Sequence, residues 1–131
     1  MANKNPLLSL ALIVFGAAFL SIYPLSIFWA SGWAWHSGSP MANDYFMMIV
    51  IVYFTLGVFM IRAARDPAAN ASLIWFVVWS SVGHALVMAW ESFRTPGMTG
   101  HLVGDVPALL IAAVVLGGLM TRVHSVRAVA V

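Results

Sequence analysis

Four long apolar stretches occupy most of this chain, and its few charges fall near their ends, between them or beyond them. They cover about residues 7–29, 45–64, 69–93 and 106–122. A helix needs roughly 20 apolar residues to cross a bilayer, and hydrocarbon leaves no water to satisfy any backbone that is not helical. The expected fold class is therefore all-α: one domain over residues 1–131, a polytopic membrane protein with four transmembrane helices in an up-down bundle. Only 8% of residues are charged, against about a quarter in a soluble domain.

The basic residues set an orientation. Lys4, Arg62, Arg65, Arg122 and Arg127 share one predicted side, and Arg94 lies on the other. The positive-inside rule then places both termini in the cytoplasm. Trp29, Trp33 and Trp35 fall at the outer interface, where indoles settle. A cleaved signal peptide fits the first span poorly. The run is too long, and Tyr23, Pro24, Phe28 and Trp29 stand where small residues should precede a cut. Pro24 is expected to kink that span near its end, and Asp66 to cap the third helix with Pro67 in its first turn. The scattered cations form no patch for nucleic acid. With no cysteine, disulfides, thiolate metal sites and cysteine nucleophiles are excluded.

Ionisable side chains inside a span are rare, and they direct attention to the last two helices. At about 100° per residue, Ser80, His84, Met88 and Glu91 share one stripe of span three, with Trp75, Trp79 and Trp90 opposite. In span four, Gly100, Gly104, Ala108 and Ala112 form a ridge of small residues for close helix approach, and His101 and Asp105 lie beside it. Tyr23 reaches a similar depth on the first span. The expectation is one pocket in the outer half of the membrane. Its ligand-binding residues are His84, Glu91, Tyr23, Ser80 and Met88, and its candidate metal ligands are His84, Glu91, His101 and Asp105.

Each residue has a plainer role to set beside this one. His84 would serve as hydrogen-bonded packing between helices. Glu91 would pair with Arg94 at the surface, and Asp105 would cap the helix that begins Asp-Val-Pro. The four groups suit a transition metal ion by ligand type but match no established metal spacing. They also suit proton transfer. Ser80 one turn before His84 resembles, weakly, the setting in which light-harvesting helices bind pigment; haem or pigment ranks below a metal ion. His36 reads as a loop residue and His124 as part of the basic tail.

The stretches SLIWFVVWSSVGHALVMAWE (72–91) and GHLVGDVPALL (100–110), with YPLSIFWASGWAWHSG (23–38), resemble a family of small uncharacterised bacterial four-span membrane proteins. The resemblance implies a bacterial inner-membrane protein of this length and brings no activity. More loosely, the architecture is similar to DoxX-like four-helix proteins and to the fold related to sterol isomerases, an analogy of fold that transfers no chemistry.

Three functions follow as expectations. The first is an outer-leaflet pocket binding a metal, cofactor or small ligand. The second is an accessory subunit of a larger respiratory or photosynthetic complex, docked through the tryptophan face. The third is a small oligomeric transporter or proton conductor. Membrane lipids are partners in all three, and a homo-oligomer or a larger assembly in the last two.

Overall fold

The structure is a computed structural model that describes residues 5–29 and 40–129. Lys4, Trp33, Trp35 and His36 lie outside the described residues, as do the side chains of His124 and Arg127. Among the described residues every regular element is helical, as expected for an all-α chain. In order these are α1 (Pro6–Leu20), α2 (Ile22–Phe28), α3 (Asp44–Ala63), α4 (Ala71–Arg94) and α5 (Asp105–Val129), with short 3-10 turns at Pro40–Ala42 and Thr99–Leu102. Helix α3, helix α4 and the segment Thr99–Val123 are long and apolar enough to cross a membrane, with mean hydropathies of 2.2, 1.6 and 2.2. Helices α1 and α2 make a fourth crossing if the bent pair counts as one span.

That bend is 56° and falls at Ser21, earlier than the proline expected to cause it. Proline has no N–H, and its ring collides with the carbonyl four residues back. Pro24 therefore takes its toll at Leu20, the last residue of α1. The break is stitched locally. Ser21 N–H donates to the carbonyls of Ala17 and Ala18 at 3.2 and 3.0 Å, and its hydroxyl donates to Ala17 at 2.8 Å.

The helix starts show the same local logic. Asn43 caps α3, its side-chain oxygen accepting from the Phe46 N–H at 2.8 Å. Asp66 accepts from the Ala69 N–H at 3.1 Å. The turn it caps is separate, however, and α4 proper begins later, at Ala71. The chain must reverse within this short link, and an isolated turn does so where a continuous helix would overshoot. Between α4 and α5, Gly97 holds a φ of +90°, a conformation side chains other than glycine rarely adopt.

The helices pair as two antiparallel hairpins, α1 with α3 and α4 with α5, and α1 also packs on α5. The first hairpin is pinned where two glycines meet. A Cβ on Gly57 would lie 2.6 Å from the Gly16 carbonyl oxygen, so only hydrogen fits there. In the second hairpin the expected small-residue ridge is only partly used. Ala112 is fully buried and Gly104 is buried, but Gly100 belongs to the 3-10 turn and Ala108 faces a cavity. Leu8, Leu12, Met60, Ile74, Leu116 and Met120 from all four long helices form the fully buried core. It lies toward the end that carries Arg62, Arg65 and Arg122.

Candidate functional site

On the other side of the Gly16–Gly57 crossing the helices separate around a cavity of about 480 Å³. Its walls come from α1, α2, α3, α4 and α5. Most of the surface is apolar and much of it aromatic, with Phe15, Phe19 and Phe46 on the side of the first hairpin. Tyr53, His84 and Asp105 supply ionisable side chains to the same space, and Met88 lies beside them.

Tyr53 sits midway along α3 and points across the gap between hairpins. Its hydroxyl oxygen is 3.0 Å from His84 Nδ1, one hydrogen bond whose donor is set by the imidazole tautomer. The Phe19 ring stands edge-on to Tyr53 at 4.9 Å, and the His84 ring does the same from the other side at 5.6 Å. Such edge-to-face contacts fix ring orientation as well as adding attraction. Tyr53 is thus held by α1 and α4 together.

Asp105 opens α5 and is buried, with 6% of its surface exposed. A buried carboxylate is costly unless it is paired and hydrogen-bonded. The partner is His101, one turn earlier in the Thr99–Leu102 turn, whose Nδ1 donates to the two carboxylate oxygens at 2.9 and 3.0 Å. His101 is itself 1% exposed. The capping role considered for Asp105 gives way to this contact: its carboxylate bonds go to the imidazole. The spacing of four residues that allowed a carboxylate to orient an imidazole is used in that way, though His101 lies in the 3-10 turn rather than on α5.

The remaining candidates stand apart from the cavity wall. Glu91 is half-buried, with its carboxylate 3.5 Å from the Thr95 hydroxyl. Arg94, its suggested ion-pair partner, lies instead over the Trp90 ring at 5.6 Å. Ser80 is exposed and donates to the Val77 carbonyl at 3.2 Å. Tyr23 is half-buried on α2, and its carbonyl accepts from Ser26 at 2.6 Å. Among the described residues, no group of three or more His, Cys, Asp and Glu side chains is placed to hold a metal ion. His84, Glu91, His101 and Asp105 therefore do not form one coordination set. Sequence reasoning missed Tyr53. The signal was there: Phe46, Tyr53 and Met60 recur every seven residues on one face of α3, and a mid-span tyrosine needs a partner for its hydroxyl.

What the arrangement can do chemically is bounded by its polar groups, which are Tyr53, His84, Asp105 and Asn43, the last with its side-chain oxygen already capping α3. Tyrosine and histidine each donate and accept, and a carboxylate accepts. Together they would hold a small hydroxyl or carbonyl group at one end of an apolar space. No curated protein and no solved structure matches the chain. A family model matches residues 2–130, and the chain belongs to that group, the Family of unknown function (DUF6632).

Proposed function

We propose that this is a four-span protein of the bacterial inner membrane that binds a small, largely apolar molecule in the cavity between its two hairpins. In this reading α1 and α2 form one bent span, both termini are cytoplasmic, and the cavity lies in the outer half of the bilayer. The basic residues Arg62, Arg65 and Arg122 support the orientation. A reporter fused at the C-terminus is expected to be active only as a cytoplasmic reporter; periplasmic activity would invert the topology.

The observation that carries the binding role is the convergence of Tyr53, His84 and Asp105, from three helices, on one apolar space of about 480 Å³. Ligand pockets are of this size and character: mostly apolar, with a few placed polar groups. Buried polar residues in a membrane helix are expensive and point to function by default. The tightly packed core at the basic end favours binding over conduction. Native mass spectrometry of protein extracted from its own membranes tests the reading. Wild type is expected to carry a discrete adduct that Tyr53→Phe weakens and His84→Ala removes. Equal adducts on all three folded proteins would remove these side chains from the site.

A second reading, a subunit of a larger complex, draws on the outer face of α4. Trp79 is 69% exposed and lies about 12 Å into the helix, deeper than the interface indoles prefer. Migration in mild detergent at a monomer or small homo-oligomer mass would argue against it.

A further inference from the structure

The cavity has a mouth as well as walls, and the two differ in character. Asp105 is 6% exposed, whereas Ile49 and Ile111, which line the same space, are 43% and 56% exposed. Ala18 on α1 is a third lining residue on the outer surface. A residue that borders a cavity and also faces outward marks where the cavity opens. Ile49 lies about 7 Å, and Ile111 about 9 Å, along their helices from the ends nearest the cavity. Both belong to segments of mean hydropathy 2.2. Their neighbours Met48, Val52, Leu110 and Val114 are exposed and apolar too. An opening beside either residue, on α3 or on α5, faces acyl chains on the flank of the bundle.

We propose that the site takes its ligand sideways from the bilayer, and that the ligand is a membrane-dissolved alcohol: an apolar body with one hydroxyl head. This rests on the cavity being a binding site, and adds the route and the class. A ligand entering past Ile49 and Ile111 crosses no water, so a charged head would have to be stripped of its hydration first. Within the cavity a hydroxyl donates to the Asp105 carboxylate and accepts from Tyr53 or His84, matching both kinds of group on the wall. A carboxylate head would meet Asp105 with like charge. The phenylalanines Phe15, Phe19 and Phe46 then cover the body.

The test uses the full chain in phosphatidylcholine vesicles and a long-chain alcohol bearing a diazirine, with labelled positions read by mass spectrometry. Wild type is expected to be labelled on cavity residues, and the matching long-chain carboxylate to label them far less. Ile49→Trp with Ile111→Trp adds bulk only at the mouth and is expected to cut cavity labelling by about tenfold or more. The single variant Ile111→Phe serves if the double variant does not fold, with a smaller cut expected. Undiminished labelling in folded mouth variants, with loss in His84→Ala, overturns the sideways route and leaves the site standing. Equal labelling by the carboxylate overturns the class. Labelling only by a short, water-soluble diazirine alcohol overturns both. Absence of cavity labelling by every probe overturns the binding role itself.

Discussion

On the basic side of the Gly16–Gly57 crossing, leucines and methionines from α1, α3 and α5 close on one another and on Ile74 of α4 with nothing between them. On the other side the same helices stand around an open space, and one hydrogen bond between Tyr53 and His84 spans the gap between hairpins. The difference follows from side-chain choice. Leu12, Met60, Ile74 and Leu116 fill the first half. In the second, the bend at Ser21 swings α2 off the α1 axis, and ring edges and polar groups face one another without filling the middle. Stability is concentrated at one end, which leaves the other free to carry costly polar groups and an unfilled volume.

The contrast can be broken or sharpened by substitution. The largest effect is expected at the crossing itself. Gly57→Leu puts side-chain atoms against the Gly16 backbone and should exceed the usual 1–3 kcal/mol of overpacking, at about 4 kcal/mol or more, read as loss of folded protein in a detergent melt. Next, His101→Ala leaves the Asp105 carboxylate buried without its partner and should cost about 3 to 5 kcal/mol. Adding Asp105→Asn to it should recover much of that loss in a double-mutant cycle. A single His101→Ala as stable as wild type would mean that the carboxylate is not buried as described. Leu12→Ala, in the packed half, should cost about 2 to 5 kcal/mol by opening a void. Met88→Ala, on a wall that already borders empty space, should cost less than half as much; equal costs would erase the distinction between halves. Smallest is Tyr53→Phe, at about 1 kcal/mol of stability for one hydrogen bond, with a larger relative loss of ligand.

The helices were legible in the sequence because bilayer thickness acts on hydropathy alone; α3 and α4 fall close to their expected bounds, and α5 starts where expected but runs on through the basic tail to Val129. The displaced break in α1 was partly legible, since Pro24 disables a carbonyl four residues earlier. The site was legible in pieces. His84 and Asp105 announced themselves as ionisable groups in apolar surroundings. Tyr53 did not, because its ring reads as one more large apolar side chain in an aromatic-rich span. Of the stripe Ser80, His84, Met88 and Glu91, the cavity is lined by His84 and Met88, and helical angle carries no information about depth. Neighbouring helices frame the cavity at His84 and Met88, while Ser80 lies four residues before His84 and Glu91 three residues after Met88, outside that frame. The pairing of His101 with Asp105 was visible in their spacing, but their separation from Glu91 was not, since it depends on how α4 meets the turn before α5.

The division into a packed half and an open half can be measured on one helix. Leu109 and Leu116 are both buried, seven residues apart on the same face of α5, and only Leu109 lines the cavity. The chain has no cysteine, so Leu109→Cys and Leu116→Cys each introduce a single thiol. Their rates of reaction with a small, membrane-permeant thiol reagent report access directly. The thiol at position 109 is expected to react about tenfold faster or more than the thiol at 116. Equal rates, or a faster rate at 116, would contradict the account.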